Sequence, residues 1–217
     1  MIGWALLVLV GIGTAGPSVA APERATCLVC QVKHGEAEVE PVRAVRAHEG
    51  RDYGFCSEAC AREFTADPVA YLPPIFPRPA PPFALTSLDG SSVSNESLKG
   101  GVVLLDFWAT WCTPCRKAMP ELQALHRRYA ARGFTVVGIS IDEGGPAKVR
   151  KHVKSNRITY PIALDASREP AWEAFRVKAI PAAYLLDREG RIVAQWTGLP
   201  ADPAAIERHL ETLLPRD

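Results

Sequence analysis

Charge of one sign is what this sequence most lacks. Lys and Arg number 25 against 24 Asp and Glu, a formal net charge of +1. No long run of like charge occurs, which argues against nucleic acid as a partner. The basic cluster His126-Arg127-Arg128 with Arg132 falls in an amphipathic pattern and reads as a solvated helix face. No nucleotide-binding motif and no internal repeat is present, so electrons for any redox reaction have to come from another protein. A long apolar run is missing too. Ile2 to Ile12 is apolar but short of the about 20 residues a membrane helix needs. Small residues follow it, and Ser18-Val19-Ala20 fits a small-x-small cleavage site, although no Lys or Arg precedes the run. Residues 1–20 therefore read as a signal peptide or N-terminal anchor, and the expected location is the periplasm or cell surface. Cys27 follows Arg24-Ala25-Thr26, a poor setting for lipid attachment.

Cysteine is present in a pattern. Six residues form three close pairs, Cys27/Cys30, Cys56/Cys60 and Cys112/Cys115. In an oxidising compartment each pair could be a disulfide, and close pairing marks sites rather than scattered core residues. Proline also clusters: Pro73 to Pro82 holds six prolines in ten residues, which favours extended, semi-rigid chain. This stretch, 73–82, is expected to link a small module over 25–72 to a larger domain over 83–215.

In the larger domain, Asp89-Gly90 lies between short apolar alternations and predicts a hairpin. Val102–Trp108 and Phe134–Ile141 are β-branched apolar runs, the mark of buried strands. Met119, Leu122, Leu125 and Tyr129 recur at helical spacing from Pro114, and Gly133 stops that helix. Further helices are expected over Pro146–Ser155, Glu169–Phe175 and Pro203–Leu214, with strands at Ile162–Leu164, Ala182–Leu186 and Arg191–Thr197. Strands alternating with helices, followed by a hairpin, predict an α/β fold with a mixed sheet covered on both faces.

Cys112-Thr113-Pro114-Cys115 falls where a buried strand ends and a helix begins. Free N–H groups and the helix dipole there favour negative charge, so Cys112 is expected to ionise more readily than a free thiol. Two intervening residues let Cys115 reach back and break a mixed disulfide. Pro114 suits the first helical turn, where its missing N–H costs nothing. The segment Phe107-Trp108-Ala109-Thr110-Trp111-Cys112-Thr113-Pro114-Cys115-Arg116-Lys117-Ala118-Met119-Pro120 resembles the thioredoxin superfamily, and within it the exported TlpA/ResA-like reductases. The resemblance extends through Phe83-Ala84-Leu85, Leu98-Lys99-Gly100 and Ala179–Asp187, and spans about 80–215. It implies a thioredoxin-like fold, a redox-active Cys112–Cys115 disulfide, and three further roles. Pro181 matches the cis-proline against the disulfide, beside which the backbone of Ile180 pairs with a substrate strand. Asp106 matches a buried acid that takes a proton from Cys115; a solvent-facing structural acid is the alternative. Trp111 matches the aromatic beside the nucleophile. Two departures stand out. Ala118 replaces a Glu common in ResA-like reductases, and the strand Val136-Val137-Gly138 has no Lys to pair with Asp106. Peroxide chemistry on the same fold would need Thr or Ser at the place of Ala109.

In the small module, 25 residues separate the two Cys pairs. The first reads as a knuckle, and the second opens a helix capped by Ser57 and stopped near Asp67-Pro68. Two such pairs can close a tetrahedral four-sulfur site. Tyr53–Cys60 with Phe64, Asp67-Pro68 and Tyr71-Leu72 resembles YHS/TRASH-type metal-binding modules, which are treble-clef-like. Three readings of Cys27, Cys30, Cys56 and Cys60 stand: a zinc or copper site, two structural disulfides, or redox thiols served by the larger domain. His34 and His48 read as surface residues, and a single internal Met, Met119, argues against soft-metal transport. The expected activity is extracytoplasmic thiol–disulfide exchange, in the reducing direction. Its partners would be exported disulfide proteins in cytochrome or copper-protein assembly and a membrane-embedded electron donor. The competing reading is a metal-handling protein, with a metalloprotein client, whose thioredoxin-like domain docks partners or keeps the Cys cluster reduced.

Overall fold

The computed structural model describes residues 22–34, 38–166, 168–198 and 204–215. The export segment expected over 1–20 lies outside them. The chain divides into two compact units, residues 1–74 and 75–217.

In the first unit β1 (Arg24–Thr26) pairs antiparallel with β2 (Val39–Pro41), and α1 (Leu28–His34) lies between them in sequence. β3 (Ala44–His48) and β4 (Arg51–Phe55) form a hairpin. Its turn carries Glu49 and Gly50, both at positive φ. α2 (Glu58–Ala66) starts as its sequence predicts: the Ser57 hydroxyl accepts the Cys60 N–H at 3.2 Å. Cys27, Val29, Ala44, Phe55, Ala61 and Phe64 make up the buried core, with the Phe64 ring 4.9 Å from Phe55 and 5.2 Å from Tyr53. One expectation fails. Cys27 and Cys30 do not sit on a knuckle but open α1, with the Gln31 N–H on the Cys27 carbonyl at 2.9 Å. Cys27 to His34 has no Gly or Pro to tighten a knuckle, and the helical turn buries both Cys27 and Val29.

The second unit runs β5 (Arg78–Pro79), β6 (Ala84–Ser87), β7 (Ser92–Ser94), β8 (Val102–Trp108), α3 (Thr113–Tyr129), β9 (Phe134–Ser140), α4 (Pro146–Ser155), β10 (Ile162–Leu164), α5 (Ala171–Ala174), β11 (Ala182–Leu186), β12 (Arg191–Thr197) and α6 (Ala204–Leu213). One mixed sheet has the order β5-β12-β11-β8-β9-β10-β6-β7. The β8–β9 and β9–β10 pairs are parallel and the remaining pairs antiparallel. Side chains alternate across a strand, and β8 uses both faces. Val102, Leu104 and Trp108 pack with Met119 and Leu122 of α3, Val149 of α4 and Ile206 of α6. Val103, Leu105 and Phe107 pack on the other face with Phe175, Tyr184 and Ile192. This is the thioredoxin-like sheet, covered on both faces, that the sequence predicts.

The Pro-rich stretch is not only a spacer. Arg78–Pro79 hydrogen-bonds to β12 as the edge strand of the sheet, and Phe76 and Ala80 pack against the second core. An edge strand tolerates proline because its outer side has no ladder to complete.

Candidate functional site: a dithiol and a four-thiol cluster

The loop between β8 and α3 presents the dithiol. Cys112 caps α3, and its sulfur accepts the Cys115 N–H at 3.2 Å. An N–H aimed at sulfur at a helix start favours negative charge on that atom. Cys112 and Cys115 are joined as a disulfide. Their access differs: Cys112 is 5 % exposed and Cys115 0 %. A partner protein's disulfide can therefore reach only the first sulfur. Thr110 anchors the loop. Its N–H and hydroxyl donate to the two Asp142 oxygens at 2.8 and 2.5 Å, and the Ser140 hydroxyl joins them at 2.9 Å. Asp142 was not singled out in the sequence; its only signal there is an acid directly after a buried strand.

Asp106 points to the face of β8 that packs against α3, between Leu104 and Trp108. It is 1 % exposed, which rules out the solvent-facing alternative, and neither of its oxygens has a hydrogen-bond partner. Burial alone pushes its carboxyl up to about 7. Its neighbours across the ladder are Gly138 and Ala183. Trp108 Nε1, 3.0 Å from where a Gly138 Cβ would stand, and the Tyr160 hydroxyl are buried without hydrogen-bond partners as well. Pro181 enters β11 beside the end of β8. The Ile180–Pro181 bond is cis, and the Ile180 carbonyl lies 3.8 Å from Cys112 Sγ. Trp111 is 61 % exposed at the mouth, whereas Trp108 is wholly buried in the core. The structure thus gathers Cys112, Cys115, Asp106, Pro181 and Trp111 around one strand-to-helix junction.

In the first unit Cys27, Cys30, Cys56 and Cys60 come together with all four sulfurs within 4.8 Å of one another. Cys30 Sγ is 3.5 Å from Cys56 Sγ and 3.8 Å from Cys60 Sγ, and Cys56 and Cys60 are 3.8 Å apart. A tetrahedron with metal–sulfur bonds of about 2.3 Å has edges of about 3.8 Å, so this donor set fits a tetrahedral thiophilic ion. Electrostatics point the same way. Burial pushes the Cys30 thiol up, and Cys56 up to about 11. Burial opposes ionisation of Cys27 too, but the Cys56 and Cys30 N–H groups outweigh it and bring that thiol down to about 7. Four thiolates this close need a cation among them to be charged together.

Residues 77–195 match the AhpC/TSA family. A thiol-disulfide oxidoreductase ResA of Bacillus thuringiensis subsp. konkukian (strain 97-27) is 31 % identical over 136 residues, 63 % of this chain and 77 % of that one. ResA of Bacillus subtilis (strain 168) is 33 % identical over 119 residues, 55 % and 65 % of the two chains. A thiol:disulfide interchange protein DsbE from Chlorobium tepidum superposes with a TM-score of 0.58 at 33 % identity, over 63 % of this chain and 95 % of that one. The family match falls wholly within the second unit, where the dithiol lies. The chain belongs to the AhpC/TSA family, and within it to the thioredoxin-fold thiol–disulfide oxidoreductases related to ResA.

Proposed function

We propose that this oxidoreductase works outside the cytoplasm as a reductase of Cys pairs in exported proteins awaiting haem or copper. A leader over 1–20, a metal-binding module over 25–72 and the thioredoxin-like domain make up its working parts. The observation that carries the redox reading is the asymmetry of the dithiol: one sulfur reachable and supplied with an N–H, the other buried on the side where Asp106 sits. Cys112 thiolate attacks one sulfur of the client disulfide. The client S–S bond breaks, a Cys112–client disulfide forms, and the departing client thiolate takes a proton from solvent. Asp106 accepts the Cys115 proton, and Cys115 attacks Cys112 Sγ. The second client thiolate leaves, so the client gains two electrons and the Cys112–Cys115 disulfide is restored. The Ile180 carbonyl edge before Pro181 holds the client strand during exchange, and Trp111 packs against it. A membrane-embedded dithiol donor returns the two electrons. The AhpC/TSA match brings no peroxide reading with it, because Ala109 stands where peroxide chemistry needs Thr or Ser.

Cys27, Cys30, Cys56 and Cys60 hold one zinc ion in this proposal. Zinc bound by four thiolates supplies a structural cross-link and no open coordination position. A copper role is the competing reading, and metal analysis of the purified protein separates the two. The redox proposal is tested by trapping: Cys115→Ser should accumulate a mixed disulfide through Cys112 with exported Cys-pair proteins. Capture of none, or a Cys112/Cys115 potential near about −120 mV, that of a strong dithiol oxidant, would refute the reducing role.

A further inference from the structure

Apart from Trp111 at its rim, the exchange steps leave unused a groove of 640 Å³ beside the dithiol. Trp111, the residue before Cys112, lines it together with Trp172, Asp142, Glu143, Asp165 and Lys148. The two tryptophans are 61 % and 37 % exposed. Indole surface left in water forgoes burial worth about 25 cal/mol per Å², and exposed aromatics on a groove mark a surface that something covers. Charge decides what covers it. Three carboxylates face one ammonium, and that ammonium, Lys148, lies 3.8 Å from Asp142. Two of the carboxylates cannot turn away. Asp142 is locked by Thr110 and Ser140, and Asp165 accepts the N–H groups of Ala171 and Trp172 at 2.9 and 2.8 Å. Burial pushes Asp142 up, but its donors and Lys148 outweigh burial and hold it below the usual carboxylate range. Arg116 and Lys117, in the first turn of α3, do not line the groove.

We infer that this groove selects client disulfides that carry a Lys or Arg next to the reactive cysteine, with the cation taken up by the tryptophans and the carboxylates together. The inference rests on the exchange reading above. An apolar client segment would cover the indoles yet strip water from a groove whose three carboxylates face a single ammonium, which is costly. A cationic side chain satisfies both, through cation–π and charge–charge attraction. An acidic segment is repelled.

The test mixes the reduced full-length protein with four peptide disulfides, identical except for Arg, Gln, Leu or Glu beside the reactive cysteine. Single-turnover oxidation gives a second-order rate constant for each. The Arg peptide should react about five- to tenfold faster than the Gln and Leu peptides at low ionic strength. The Glu peptide should be slowest, and the spread should narrow with salt. Trp172→Ala and Glu143→Gln should each shrink the Arg-to-Gln ratio; the peptide series on the unaltered protein stands without them. Equal rates across the four peptides, or a fastest Leu peptide, overturn the inference while the oxidoreductase reading survives. Failure to exchange with any peptide, or with a small-molecule disulfide, overturns that reading itself.

Discussion

Asp106→Asn should stabilise the protein at neutral and alkaline pH, and the size of the effect follows from the site. The carboxyl is buried, has no hydrogen-bond partner, and is raised from 3.8 to about 7 by burial alone. The folded state therefore holds its proton over a range where the unfolded chain has released it. Stability falls as pH rises through that range, by about 1.4 kcal/mol per pH unit. Above about 7 both states are ionised and the penalty is constant. The full span is about 4 kcal/mol, an upper bound because relaxation around the charge reduces it. Asn keeps the shape and the unpaired dipole but not the charge. Denaturant unfolding of the oxidised proteins, followed by tryptophan fluorescence, reads this directly, since Trp108, Trp111, Trp172 and Trp196 all lie in residues 75–217. The two proteins should be close in stability near pH 4 and diverge steadily up to pH 7, with the variant the more stable. Parallel curves from pH 4 to 8 would show that the acid is solvated or paired, and the reasoning would fail. The same substitution should slow release of a client by Cys115 and remove the step in that rate near pH 7.

Gly138→Ala should cost about 1–3 kcal/mol in the same unfolding assay. A methyl there would stand 2.6 Å from Ile162 Cδ1 and 3.0 Å from Trp108 Nε1, and a variant as stable as the parent would show that this layer is loosely packed. A zinc chelator should abolish amide-exchange protection in the first unit and leave β8 and β9 protected, because a core of six residues is too small to fold without its cross-link. Persistent protection after metal removal would mean that the four thiols are not what holds that unit together.

The parts of this molecule that were legible in the sequence are those specified by near neighbours. Val102–Trp108 and Phe134–Ser140 form strands because continuous β-branched and aromatic residues satisfy a sheet buried on both faces. The dithiol could be placed because a strand, a two-residue gap with proline and an amphipathic helix are all local. What escaped is set by distance in the chain. Pro79 pairs with Arg191, and nothing around Pro73–Pro82 announces a free sheet edge more than a hundred residues later. Cys27 and Cys30 open a helix rather than a knuckle because Val29 must reach Phe55 and Phe64, a demand that arises only once the hairpin has formed.

The groove shows the same limit on the functional side. Trp111 could be named from its place beside Cys112, but its chemistry depends on residues supplied by two other connections of the sheet. Asp142 follows β9, Asp165 follows β10, and Trp172 opens α5. Each has an ordinary local reading: an acid after a strand, an acid bonding helix-start N–H groups, a tryptophan on a short helix. Only the parallel order of β8, β9 and β10 brings their carboxyl ends to one edge of the sheet, next to the disulfide. Client choice in this scaffold is therefore written in the loops after its parallel strands. The exchange chemistry is written in the Cys112–Cys115 turn, in Asp106 of β8 and in the Ile180–Pro181 bond before β11. The two can vary independently, so a likeness confined to the dithiol and its sheet says which reaction is run and leaves the client to be read from the groove.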